Sequence, residues 1–154
     1  MSKKDIDEFF EKEDQNVFLS LLNATEEWLY DEGEDQPKKV YVESLTELKK
    51  YGDPVLEREK EYLHRDTTFN ELGQTIVRFE KFLLEHEAGD EKYDHLEESD
   101  IEKVKEAVAK KREWMETKMQ AQQATLLTDD PIVKVSEIRM TTEVSCYYFI
   151  DHIK

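Results

Sequence analysis

With 154 residues, 38% of them hydrophobic and 39% charged, the chain has room for one domain or one and a half. Four glycines and three prolines provide too few turns for a compact α/β fold, while an aromatic content of 10% argues against wholesale disorder. A formal net charge of −16, with no Lys/Arg stripe to offset it, disfavours nucleic acid and anionic membrane as partners and suits either a soluble partner with a basic surface or solubility alone.

Taken in chain order, residues 5–12 read as a helical lead-in with Ile6, Phe9 and Phe10 on one side, and Asp14 can cap a fresh start. Over residues 14–31, Val17, Leu21, Ala24 and Trp28 recur at helical spacing, widened by Phe18, Leu22 and Leu29. Gly33 closes that helix and Pro37 opens the next, the punctuation of a helical hairpin. Gly52-Asp53-Pro54 interrupts residues 37–64, yet Tyr41, Leu45, Leu48, Gly52, Val55, Glu59 and Tyr62 keep their phase across it. One long helix kinked near Pro54 is favoured over two separate helices.

Asp66 or Thr67 can cap a third helix with Phe69, Leu72, Ile76, Phe79 and Leu83 on its apolar row, ending near Gly89. Residues 89–98 are loop-like, with Tyr93 and Leu96 available to dock. Ser99-Asp-Ile-Glu102 has the form of a capping box. It would open a fourth helix to about Leu127, with Ile101, Val104, Val108, Met115 and Met119 inward and Trp114 beside them. Asp130-Pro131 repeats the cap-plus-proline start, and Ile132, Val135 and Ile138 fit a helix. From Thr141 to Ile150 the text is β-branched and aromatic. A lone strand would lack a ladder partner, so the helix is extended, with an intermolecular strand as the alternative.

The fold class is therefore all-α: a three-helix bundle with a long kinked helix, extended by one or two further C-terminal helices. Residues 1–13 form the lead-in, 14–139 the bundle domain and 140–154 a divergent helical tail. The opening Met-Ser-Lys-Lys-Asp-Ile-Asp has no apolar signal region and suits an internal fragment given a start codon, or a short product. No apolar run approaches the ~20 residues of a membrane span.

Catalytic chemistry finds no foothold. The glycines stand singly, so neither a G-x-G-x-x-G turn nor a phosphate loop is present. His86 and His95 lack metal-ligand spacing, and residues 90–102 lack the glycine and alternating ligands of a calcium loop. Cys146, the single cysteine, lies six positions from His152, off its helix face, and suits packing better than nucleophilic work. Trp28 and Trp114 suit core or interface anchors. Asn23, Glu26 and Tyr30 share a helix face apart from Leu21, Ala24 and Trp28. That face is either solvated or a docking strip for another protein.

Asn23-Ala-Thr-Glu-Glu-Trp-Leu-Tyr-Asp-Glu-Gly-Glu-Asp-Gln36 resembles the C-terminal helical region of the 110-kDa-class heat-shock chaperones, relatives and nucleotide-exchange factors of the 70-kDa heat-shock proteins. Leu45-x-x-Leu48 with Gly52-Asp-Pro54, Phe69-Asn-Glu-Leu-Gly73, Asp90-Glu-Lys-Tyr93, the text near Ser99, Glu113-Trp-Met115 and Asp130-Pro-Ile-Val133 extend the likeness over about residues 10–139. From Thr141 onward the text departs from it. The resemblance implies a cytoplasmic helical bundle, without catalytic activity, that grips the ATPase domain of a partner 70-kDa chaperone and holds its lobes open so that ADP leaves. It also implies that Asn23 and Glu26 are the partner-binding residues, and that ATP, the parent's cofactor, binds a domain absent from this chain. Trp28, Leu21 and Leu45 would hold the bundle that presents the strip. The alternatives are holdase-type binding of unfolded polypeptides, for which Tyr147-Tyr148-Phe149 is suited, and an unrelated helical adaptor.

Overall fold

The computed structural model describes residues 4–153, with side chains described through Val144. After a 3₁₀ turn at Ile6–Phe9 come α1 (Lys12–Asp31), α2 (Lys38–Glu87), a second 3₁₀ turn at Glu91–Tyr93, α3 (Glu98–Gln123) and α4 (Val135–Ile153). The described residues hold no strand, so the all-α architecture with a long helix is borne out. They divide into two compact units. One takes the described residues up to Tyr62 together with Leu126–Asp130; the other takes Leu63–Thr125 and the described residues from Pro131 onward.

In the first unit α1 lies antiparallel to the opening half of α2. Trp28 meets Tyr41 edge-on at 5.9 Å between ring centroids, Phe18 lies against Gly52, and Phe9 meets Tyr62 at 5.5 Å. Residue numbers rise along one helix as they fall along the other. The inward row of α1 is Phe18, Leu21, Thr25 and Trp28, all half-buried, and the helix contains no fully buried residue. Val17 and Leu45, expected on the inward rows, are 48% and 52% exposed. Each helix here has one helical neighbour, so the seam is narrow and residues bordering it stay open to water. Phe9 and Val55 are the buried apolar side chains of this unit, and the Arg58 guanidinium donates to the Phe9 carbonyl at 3.2 Å and to Asp130 at 3.2 Å.

The connection from α1 to α2 is fastened by backbone and side chain together. The Gly33 amide donates to the Trp28 carbonyl at 2.7 Å, folding the chain back so tightly that a Cβ on Gly33 would sit 2.6 Å from the Leu29 Cα. Only hydrogen fits there. Asp35 takes a positive φ of 63°, which Asp tolerates better than most residues. The Tyr41 hydroxyl donates to the Gly33 carbonyl and accepts from the Gln36 amide at 3.1 Å. One aromatic side chain thus packs on Trp28 and ties the turn.

The turn expected near 64–67 is absent; residues 14–88 carry two helices where three were expected. No glycine or proline stands there, and the Thr68 hydroxyl bonds back to the His64 carbonyl at 2.7 Å, which satisfies it inside a helix. The apolar row also stays in phase from Val55 through Tyr62 to Phe69, Leu72 and Ile76. Pro54 lies within α2.

The second unit holds the larger core. Phe69, Leu72, Ile76 and Phe82 of α2 pack with Ile101, Val104 and Val108 of α3, and with Val133 and Ile138. Phe79, Leu83, Tyr93, Leu96, Trp114 and Met115 close its edges, so the docking expected of Tyr93 and Leu96 occurs. Gly89, at φ 77°, ends α2, and the Asp90 side chain caps the following 3₁₀ turn. The Glu85 carboxylate accepts the Tyr93 hydroxyl at 3.1 Å, and that bond raises the phenol's pKa.

Three local expectations are corrected. The lead-in is a 3₁₀ turn with Asp5 and Glu8 forming its capping box. The box at Ser99 does not form: α3 starts two residues earlier, Glu97 takes the cap position without a side-chain bond, and Ser99 turns to the Glu97 carboxylate at 3.5 Å. Asp130-Pro131 does not start α4, which begins at Val135. The Gln122 side chain instead accepts the Ile132 and Val133 amides at 2.9 and 3.4 Å, holding this segment outside the helix while Val133 buries completely.

Two stability outcomes follow. Leu72→Ala should cost about 3 kcal/mol in urea unfolding, whereas Val17→Ala should change little, within about 0.5 kcal/mol. Gly33→Ala should cost about 1–3 kcal/mol through overpacking of the turn, visible as a lowered unfolding midpoint at unchanged helicity.

Candidate partner docking site

Helical periodicity fixes what α1 can present. With Phe18, Leu21, Thr25 and Trp28 turned to α2, Asn23 and Glu26 point elsewhere, three positions apart and therefore on one face. Both are exposed, and neither side chain makes a hydrogen bond or ion pair among the described residues. Tyr30, four positions further along the same row, is 85% exposed. Leu19, four positions before Asn23, joins this row, although as a leucine in an apolar-rich stretch it does not stand out by residue type. Its signal was the four, three, four spacing of Leu19, Asn23, Glu26 and Tyr30, which runs parallel to the inward row.

Position along the helix is set by its two ends. The Glu32 and Gly33 amides both donate to the Trp28 carbonyl, closing α1 just beyond Tyr30. At the other end, Phe10 stacks on Phe18 with ring centroids 5.4 Å apart. The face is therefore carried by a helix fastened through its inward side, and its side chains remain uncommitted. What this row offers is an amide, a carboxylate and a phenol side by side on one exposed helix face.

The other sequence candidates are not brought together. His86 is half-buried near the end of α2 and His95 is exposed in the loop beyond it, and no cluster of three metal-ligating side chains occurs among the described residues. The side chains of Cys146, Tyr147, Tyr148, Phe149 and His152 lie outside the described residues. No described helix is long and apolar enough to cross a membrane. The second unit has a groove of about 630 Å³ lined by Phe69, Gly73, Val77, Met115 and Met119. Arg112 at its edge is already engaged by Glu80, through bonds of 2.6 and 2.7 Å.

Comparison with known proteins agrees with this architecture. The family model described as HYOU1-like, C-terminal domain, matches residues 81–142. Heat shock 70 kDa protein 4L of Homo sapiens is 43% identical over 132 residues, 86% of this chain and 16% of the relative. Heat shock 70 kDa protein 4 of Homo sapiens is 41% identical with the same coverage. The 97 kDa heat shock protein of Mesocentrotus franciscanus is 37% identical over 144 residues, 94% of this chain and 16% of the relative. The chain thus spans about a sixth of the length of these relatives. No solved structure matches it. The matched relatives, the matched C-terminal family model and the all-helical fold agree: the chain belongs to the 110-kDa-class heat-shock proteins and corresponds to their C-terminal helical domain, not to the ATPase domain.

Proposed function

We propose that this domain binds the ATPase domain of a partner 70-kDa heat-shock protein in the cytoplasm, and that within its parent chain it assists nucleotide exchange by holding the partner's lobes apart. The observation that carries this reading is the face of α1. Asn23 and Glu26 are exposed and make no side-chain hydrogen bond or ion pair among the described residues, inside the segment that most resembles the family. Asn23 supplies an amide that both donates and accepts, and Glu26 supplies a carboxylate suited to a cationic side chain of the partner. The domain takes no part in bond-making; ATP is bound and hydrolysed elsewhere, in the parent and in the partner.

The mechanism needs rigidity more than chemistry. A grip that separates two lobes must resist the force with which they close, so its contact residues belong on a helix whose backbone is already satisfied. α1 meets that requirement through its seam with α2 and the Tyr41–Gly33 tie.

Asn23→Ala with Glu26→Ala, made in the full-length parent, should slow ADP release from the 70-kDa partner roughly tenfold, equivalent to about 1.4 kcal/mol of lost contact. Circular dichroism should be unchanged. Release at the unaltered rate would refute the assignment of these two residues.

A further inference from the structure

The exposed large apolar side chains of α1 fall into two groups. Val17, Leu22 and Leu29 border the α1–α2 seam, and their partial exposure follows from a helix having a neighbour on one side only. Leu19 and Tyr30 are different. At 50% and 85% exposed, they lie more than ~100° around the helix from that seam. They also bracket Asn23 and Glu26 in one row, at i, i+4, i+7 and i+11. Single exposed leucines are ordinary on protein surfaces, but two apolar side chains at the ends of a polar row form a pattern.

A second observation concerns charge. Between Glu11 and Asp35 stand nine carboxylates against one lysine, so half of the net charge of −16 lies in 25 of the 154 residues. None of the nine forms an ion pair among the described residues, whereas Glu80, Glu87 and Glu106 in the second unit are each paired with Arg112, Lys105 and Lys110. A surface made acidic for solubility alone has no reason to concentrate its unpaired charge beside an apolar-ended row.

We propose that Leu19 and Tyr30 are the anchors of the docking strip, and that the surface they fit is cationic between two apolar recesses about 16 Å apart, the rise of eleven helical residues. This rests on the reading that the strip binds the ATPase domain of a 70-kDa chaperone. The division of labour follows from the chemistry. Buried aromatic and aliphatic anchors supply most of the binding free energy, with Tyr enriched among such positions. Asn23 and Glu26 between them set register, and the surrounding carboxylates speed encounter.

The test uses the 154-residue chain and the isolated ATPase domain of a 70-kDa heat-shock protein, with affinity measured by isothermal titration calorimetry at 50 and 300 mM salt. Tyr30→Ala and Leu19→Ala should each weaken binding about tenfold, and Leu45→Ala, exposed on another helix, should leave it unchanged. Tyr30→Phe should retain most of the affinity, because the anchor acts through its ring. Affinity of the unaltered chain should fall as salt rises. If Asn23→Ala with Glu26→Ala weakens binding while Tyr30→Ala and Leu19→Ala do not, the anchors are overturned and the strip reading stands. Salt-insensitive binding overturns the cationic partner surface. Failure of the unaltered, fully helical chain to bind overturns the strip reading and this proposal with it.

Discussion

The packing of α2 along one continuous apolar row is the constraint on which the rest of the molecule depends. A fifty-residue helix with a polar exterior gains little from intrinsic propensity and must be held by what covers its apolar side. α1 covers the first half and α3 the second, each running antiparallel to the portion it meets. Because Val55, Tyr62, Phe69, Leu72 and Ile76 stay in phase, the chain gains more by continuing the helix than by turning at Asp66, where neither glycine nor proline stands to break it.

The two halves are not covered equally. The second is sealed by α3, by Val133 and by Ile138, and Leu72, Ile76, Val133 and Ile138 are all but inaccessible to water. The first has a seam of half-buried side chains, reinforced by directional contacts: Phe9 on Tyr62, Phe10 on Phe18, Trp28 on Tyr41, and Arg58 holding the Phe9 carbonyl and Asp130. These contacts fix where α1 lies without burying it deeply. That suits an element whose outward face is used for contact, since deep burial would consume the surface a partner needs.

Much of this was legible because helical periodicity is a strong signal wherever one side is buried. Phe69, Leu72 and Ile76, and Ile101, Val104 and Val108, were all read as inward rows and are so. The stop at Gly33 was legible as well, although its reason is the lack of room for a Cβ and not a left-handed backbone. Capping residues misled for a definite reason: Asp and Ser have the chemistry to cap a helix, but the same oxygens can be taken up by other partners. Ser99 found the Glu97 carboxylate, and Asp130 the Arg58 guanidinium. Local sequence cannot show which partner prevails when that partner is 72 positions away. Val17 and Leu45 misled for the opposite reason. An apolar row reveals which way a helix could face a neighbour, but not how many neighbours there are.

The candidate strip shows the same division between what one chain encodes and what it leaves to another. Asn23 and Glu26 were legible through resemblance, and their shared face through spacing. Leu19 and Tyr30 became distinct only when the seam had been located, because an exposed leucine has meaning only relative to the side that is covered. The charge pattern sharpens this. In the second unit Glu80 and Arg112, or Glu87 and Lys105, neutralise one another across the helix pair, so their fields decay quickly from the surface. Around α1 the carboxylates repel each other without local compensation, a cost that a cationic partner would relieve on binding. On the proposed reading, folding and association are carried by different sides of the same helix: the inward row gives α1 its place, and the outward row, set in an acidic segment, meets the partner.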